Sequence, residues 1–405
     1  MAESMASFTT TVPVGPVSTN FTNSGARARS KRSLLASGTR GNDAPEGWQT
    51  GAEYEPNRRG SACRQAILAM LLVVATGAAS ADPGTDPLRS HEFELRQDDS
   101  VLGSLQRIRA RQEDTLSDLG RLFNLGYEEI TRANPGVDPW LPGQDADVLL
   151  PTLFVLPEAE RKGLVLNMAG MRIYYFRPAG TDRAATIFTH PIGIGRVGWS
   201  TPLGTTRVTA KATNPSWYVP ESIREEHAAE GDPLPKIVPP GPSNPLGRHV
   251  LRLALPSYLI HGTNKPWGVG MRVSHGCIRL YPEDIEALYA MVPVGTAVQI
   301  VDQPYLAGWH EGRLLFTAYH PLEEKGGDWL AALELLDPRM KEAPEGASTA
   351  PIDWGRVARI TREGMGVAYP VQEDAPDMRQ WLASVPTVRI DSVANYRPDA
   401  AETGN

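Results

Sequence analysis

One cysteine, two histidines and two arginines crowd into YLIHGTNKPWGVGMRVSHGCIRL, residues 258–280. Chemistry at Cys277 would be nucleophilic. A free thiol is only a few per cent thiolate at neutral pH, roughly, so it needs a base within reach. His261 closes the apolar run YLIH, is followed by Gly262, and stands sixteen positions before the cysteine. The glycines of the intervening segment permit sharp turns, so the strand end and the cysteine loop can meet. His275 flanks the thiol; in an extended segment it either shares a face with Cys277 or turns inward to fix the loop. Gly276 frees the backbone before the nucleophile. The N–H groups of His275, Gly276 and Cys277 can then converge as an oxyanion hole, in which one donor is typically worth about 2.7–4 kcal/mol of barrier. Arg279 can hold a substrate carboxylate in a guanidinium fork. Five of the six remaining histidines (His91, His190, His227, His310 and His320) read as structural, with His227 on a solvated helical face in REEHAAE.

The elements that must position these groups are mostly strands. GLVLNMAGMRIYYF reads as two strands joined at Ala169-Gly170, and HVLRLALPSYLIHGT alternates into a strand ending at His261. DIEALYAMV is a helix and TAVQIV a closing strand. This is a mainly β chain, expected as a β-sandwich or barrel-like sheet over residues 163–303. Between Thr213 and Asn244 lies a long irregular insertion, with eight prolines between Pro215 and Pro245. An insertion of that length is functional or disordered. Its Trp217, Tyr218, Ile237 and Val238 favour an ordered wall or lid, with Trp217 and Tyr218 facing substrate. Upstream, EDTLSDLGRLFNLGYEEITRANPG predicts two short helices, the first capped by Asp114 or Thr115, followed by a strand in DVLLPTLFVLP. Residues 304–405 form a C-terminal α+β extension, with a hairpin turning at His310-Glu311-Gly312 and a helix in DWLAALELL.

At the N-terminus, residues 1–57 are rich in Ser, Thr, Ala and Gly. They are expected to be disordered or to precede the true translation start. Residues 58–81 carry Arg58, Arg59 and Arg64, an apolar run from Ala66 to Ala79, and Ala79-Ser80-Ala81 before Asp82. That is the pattern of a cleaved secretory signal peptide, too short for a membrane span of about 20 residues. The twin arginines are followed by GSAC rather than apolar residues, so Sec and Tat export both stay open. Cleavage would remove Cys63 and leave Cys277 as the one thiol of a periplasmic protein. The net charge of −7 gives no footing for nucleic-acid binding.

The segment His261…Ser274-His275-Gly276-Cys277-Ile278-Arg279 resembles the active-site signature of the L,D-transpeptidases, the YkuD-type catalytic domain. With PLGRHVLRL and VQIVDQP the likeness covers roughly residues 163–304, and the insertion resembles the periplasmic ErfK/YbiS/YcfS/YnhG subgroup. Residues 97–156 resemble a LysM module, which binds N-acetylglucosamine-containing glycan, although Glu113 replaces the usual glycine; a plain spacer is the alternative.

The likeness implies that Cys277 attacks the third residue of a peptidoglycan tetrapeptide stem, that D-alanine leaves, and that an amine resolves the acyl-enzyme. His261 is the implied base, oriented by the Gly262 carbonyl; Ser274 and His275 shape the loop. The amine belongs to a second stem peptide or to the lysine of an outer-membrane lipoprotein. No cofactor, metal, nucleic acid or transmembrane anchor is implied, and carbapenems acylate such enzymes. Three other readings stand beside it: hydrolysis at the same site, a glycan-binding protein with an inactive site, and zinc on His249, His261, His275 and Cys277, whose ligand types suit it. The His-Gly-Cys arrangement within the signature favours nucleophilic use over zinc.

Overall fold

Alternating apolar residues on paired strands generate the central feature, a nine-stranded mixed sheet. Its strands are β1 (Glu92–Glu94), β2 (Gly163–Asn167), β3 (Arg172–Arg177), β4 (Thr186–Pro191), β5 (Gly204–Thr213), β6 (His249–Leu253), β7 (Leu259–His261), β8 (Ile278–Arg279) and β9 (Ala297–Val301). They lie in the order β1-β4-β3-β2-β9-β5-β6-β7-β8. The computed structural model describes residues 92–96, 98–322 and 329–388. The expectations for the leader and the signal peptide fall outside these residues.

Both faces of the sheet are covered. Leu164 and Leu166 of β2 join Ile173, Val208, Leu251, Ile260 and Ile278 in one core, against Ile285, Leu288 and Val292 of the helix Pro282–Met291 and its end. Val165 points the other way, into a core with Tyr174, Phe176, Ile187, Leu102 and Leu156. This alternation explains why β2 reads as an unbroken apolar run: every residue in it is buried.

Most neighbouring strands are antiparallel, but β7 and β8 are parallel, with Ile260 opposite Ile278 and His261 opposite Arg279. Parallel neighbours need a crossover of roughly a dozen residues or more. The stretch between His261 and Cys277 is that crossover. It forms a short 3-10 turn at Pro266–Gly268 and a strand at Arg272–Ser274 that pairs with Ile194–Gly195.

Upstream, strand Gln106–Arg109, helices α1 (Leu116–Leu122) and α2 (Tyr127–Ala133), and strand Asp147–Leu150 make a small βααβ unit with its own core. Thr115 is the α1 N-cap, its hydroxyl accepting the Asp118 N–H. DVLLPTLFVLP is two strands rather than one, broken at Pro151-Thr152, because proline cannot donate to a ladder. The C-terminal part holds a hairpin, Tyr305–His310 with Arg313–Ala318, closed through Glu311 and Gly312, both at positive φ. A short strand at Tyr369–Pro370 and helices at Trp329–Lys341, Trp354–Glu363 and Met378–Ala383 complete it.

The βααβ unit is joined to the sheet by a buried polar cluster. Arg172 of β3 is fully buried, and its Nη1 reaches Glu129 of α2 at 2.8 and 2.9 Å. Its other nitrogens donate to Thr189 Oγ1 and the Asn124 carbonyl, and the guanidinium lies 3.9 Å over the Phe154 ring. Glu129 also accepts the Gly126 N–H that starts α2. Removing one partner would leave the other charge buried and unpaired. Arg172→Met is therefore expected to destabilise by about 3–5 kcal/mol, and Arg172→Met with Glu129→Leu by clearly less. Urea midpoints of the three proteins check this; equal losses for the single and double variants would contradict it.

Candidate active site

His261 and Cys277 reach one place because of the β7–β8 register. Ile260 and Ile278 face the apolar core, so the residues alternating with them, Leu259, His261, Cys277 and Arg279, share the opposite face. His261 is directly opposite Arg279, two residues after Cys277.

The imidazole of His261 is buried, with Nδ1 2.6 Å from the Gly262 carbonyl oxygen. A carbonyl only accepts, so Nδ1 carries the proton and Nε2 keeps its lone pair. Burial, with help from the Arg279 charge, lowers the His261 pKa to about 3, against the pull of the Gly262 and Leu246 carbonyls. Burial likewise pushes the Cys277 thiol above its usual value, partly offset by the Leu259 N–H and by Arg279. At neutral pH the resting pair is thus a neutral thiol and a neutral imidazole. The thiol donates to the Ser257 carbonyl at 3.5 Å. Arg279 is half-buried, its Nε has no partner, and no described carboxylate pairs with it.

The loop before the nucleophile is tightly tied. Ser274 Oγ donates to the Cys277 carbonyl at 2.6 Å and accepts the Gly276 N–H at 3.2 Å. Thr201 Oγ1 donates to the Gly276 carbonyl at 2.7 Å. The Gly276 N–H, expected to line an oxyanion hole, here donates to Ser274 Oγ. An oxyanion would have to displace the hydroxyl or use another N–H. Gly276 has φ +98°, and a Cβ there would lie 3.0 Å from the Tyr258 ring, so glycine is required on two counts.

Of the alternatives left open for His275, neither describes it fully. Its Nε2 donates to Glu226 Oε2 at 2.9 Å, while the Trp199 ring meets it edge-on at 5.0 Å. Glu226 lies on helix α3 (Glu221–Ala229) of the insertion, which packs Ile223 inward. Arg196 binds the other oxygen of the same carboxylate. These groups were missed in the sequence because REEHAAE reads as solvated; the signal was Ile223 with Glu226 and His227 at helical i, i+3 and i+4 spacing. Trp217 and Tyr218 form a two-residue strand pairing with Ile237–Val238, and Tyr218 is 69% exposed. His249 packs against Tyr289 with the rings tilted by 47° and their centroids 4.7 Å apart. Among the described residues no cluster of three or more His, Cys, Asp or Glu is arranged to hold a metal, and no helix is long and apolar enough to cross a membrane.

Comparison with known proteins places this site. Residues 161–300 match the YkuD family, described as the L,D-transpeptidase catalytic domain. The chain is 38% identical over 241 residues to the probable L,D-transpeptidase YcfS of Escherichia coli K12, across 58% of this chain and 74% of that protein. It is 42% identical over 202 residues to the probable L,D-transpeptidase YbiS of the same strain, across 49% of this chain and 64% of that protein. The NMR structure of the catalytic domain from the E. faecium L,D-transpeptidase aligns with 36% of this chain and 99% of that one, at 20% identity and a TM-score of 0.27.

The neutral resting pair predicts a pH signature. A thiol with raised pKa gains thiolate only as pH rises, so iodoacetamide alkylation at Cys277 should climb through neutrality and still be rising past about 8.5, the ordinary thiol pKa. Peptide-resolved mass spectrometry reads the rate. A plateau reached below neutrality would instead reveal a standing thiolate–imidazolium pair.

Proposed function

The chain belongs to the L,D-transpeptidase family, and from that premise we propose that it is a cysteine acyltransferase of peptidoglycan. The observation that carries the reading is the common face of His261, Cys277 and Arg279 on parallel β7 and β8.

In this reading His261 Nε2 takes the thiol proton as Cys277 Sγ attacks the carbonyl of the third residue of a tetrapeptide stem. The tetrahedral intermediate collapses as His261 returns the proton to the departing amine of D-alanine, leaving a thioester on Cys277. An amine acceptor, deprotonated by His261, attacks the thioester and regenerates the thiol. The Gly262 carbonyl holds the imidazole in the tautomer this requires, in the orienting role a carboxylate plays in other triads. Because Arg279 keeps the imidazolium unfavourable and the thiolate favourable, the proton is on His261 only briefly, and the step is general-base catalysis rather than attack by a preformed ion pair. Arg279 is also the cation we assign to a stem-peptide carboxylate, since its guanidinium has no described anionic partner. Ser274 and His275 hold the nucleophile loop, and the insertion, with Trp217 and Tyr218, forms a wall over the donor stem.

The domain organisation proposed with this function has residues 58–81 as an export signal to the periplasm, 97–156 as a LysM-like glycan-binding unit, 163–303 as the catalytic domain and 304–405 as an extension. The βααβ order of the second of these supports the LysM-like reading. The acceptor is either the side-chain amine of a second stem or a lipoprotein lysine. Hydrolysis uses the same steps with water in place of the amine.

Two measurements test the proposal. After exposure to meropenem, intact mass should show one covalent adduct on the wild type and none on Cys277→Ser; equal labelling of both would remove Cys277 as nucleophile. Incubation with a tetrapeptide muropeptide and an amine should yield exchanged product that Cys277→Ser does not form. Tripeptide accumulating with no exchanged product would assign the enzyme to hydrolysis.

A further inference from the structure

The insertion is a flap with a closed neck. Asn244, fully buried, donates from Nδ2 to the carbonyl of Pro215 at 2.8 Å and of Pro239 at 3.1 Å, tying the two ends of the insertion together. The Val219 N–H donates to the Lys236 carbonyl, and Trp217–Tyr218 pairs with Ile237–Val238 just beyond that neck. Helix α3 projects from this frame. The frame is closed at its neck, so its far end is held by its own contacts.

That far end meets the nucleophile loop through one carboxylate. Glu226 receives the His275 Nε2–H on one oxygen and the Arg196 guanidinium on the other. Arg196 belongs to the segment beside the nucleophile loop: its N–H donates to the Ser274 carbonyl at 3.0 Å, and Trp199, which packs edge-on against His275, donates its N–H to the Arg196 carbonyl. Arg196 and His275 together hold Glu226 ionised. His275 immediately precedes Gly276 and Cys277, whose carbonyls are held by Thr201 and Ser274. The His275 ring is held by three groups: Glu226 at 2.9 Å and Arg196 Nη2 at 3.2 Å, both against Nε2, and the Trp199 ring edge-on; Glu226 is the one that the flap contributes. His227, one residue on, lies with its ring 6.4 Å from that of His275 and pairs with Asp232 of the same flap, so it adds bulk rather than a second bridge.

We propose that Glu226 is a positioning residue of the transferase reaction: by bridging His275 and Arg196 it latches the flap onto the Ser274–Cys277 loop and sets the nucleophile for large acyl donors. The proposal rests on Cys277 being the nucleophile. Glu226 touches neither substrate nor the reacting atoms; it acts through His275.

The test compares a donor that must sit under the flap with a reagent that need not. Glu226→Ala and Glu226→Gln are expected to lower the maximal rate of acylation by the tetrapeptide donor on the order of ten- to a hundred-fold, with KM changed far less. Alkylation of Cys277 by iodoacetamide should change by less than about twofold, since thiol ionisation depends on burial and Arg279 rather than on the latch. Glu226→Asp should recover part of the lost rate. In a double-mutant cycle, adding Glu226→Ala to Arg196→Ala should cost little more than either alone. A misfolded variant would lose alkylation control and donor acylation together, so the two readouts separate misfolding from mispositioning. Wild-type acylation by Glu226→Ala, or strictly additive losses in the cycle, overturns the latch. Failure of Cys277→Ser to abolish wild-type acylation would instead sink the underlying reading of the nucleophile.

Discussion

Parallel pairing of two very short strands is the constraint on which the site depends. Only three residues of β7 and two of β8 are involved, yet their register brings His261, Cys277 and Arg279 to one face while Ile260 and Ile278 anchor the pair in the core. A parallel pair this short has little ladder of its own, and its crossover must be propped from outside. The βααβ unit supplies the prop. The Tyr127 and Glu128 N–H groups at the start of α2 donate to the Val269 and Gly270 carbonyls in the middle of the crossover. Gly270, at φ +77°, comes so close to Gly126 that a Cβ would fall 2.3 Å from its Cα. Arg121 of α1 grips Glu283 in a fork, and the Tyr281 hydroxyl donates to the Leu125 carbonyl. The unit upstream is thereby a structural part of the catalytic loop, whatever it binds.

The electrostatics follow from the same packing. Burial penalises the charged form of both the Cys277 thiol and the His261 imidazole. Arg279 breaks the symmetry, because a fixed positive charge opposes imidazolium and favours thiolate. A site of this kind gains nothing from a resting ion pair. On the proposed acyl-transfer reading, the proton moves when a carbonyl arrives to consume the thiolate, and an anionic donor carboxylate would neutralise Arg279 at that moment and ease protonation of His261. Substrate binding and proton transfer would then be coupled through one guanidinium.

Much of this was legible in the sequence, for identifiable reasons. The His261–Cys277 spacing is the length a parallel crossover requires, so strand ending, turn glycines and thiol could be assembled by reading alone. Thr115 as a cap and Glu311-Gly312 as a hairpin turn are local chemistry, and local chemistry is what a sequence displays. The unread features are all long-range. Glu226 and His275 are 49 residues apart, and Arg172 and Glu129 are 43 apart. A charged residue in a helix looks solvated until its partner is known. The bond of the Gly276 N–H to a serine two residues back was unread for another reason: side-chain competition for backbone donors is invisible in spacing.

The tension between those bonds also explains why Ser274 and Gly276 belong together. Gly276 adopts a conformation that other residues resist, which on its own would let the loop wander. Ser274 closes a small ring over it, accepting the Gly276 N–H and donating to the Cys277 carbonyl. The hydroxyl holds the strained turn in the resting enzyme and is at the same time the weakest ligand of that N–H, at 3.2 Å. An oxyanion is a stronger acceptor than a hydroxyl. On the proposed acyl-transfer reading, a tetrahedral intermediate would claim this donor by displacing Ser274 Oγ, while the second Ser274 bond, to the Cys277 carbonyl, keeps the loop in register.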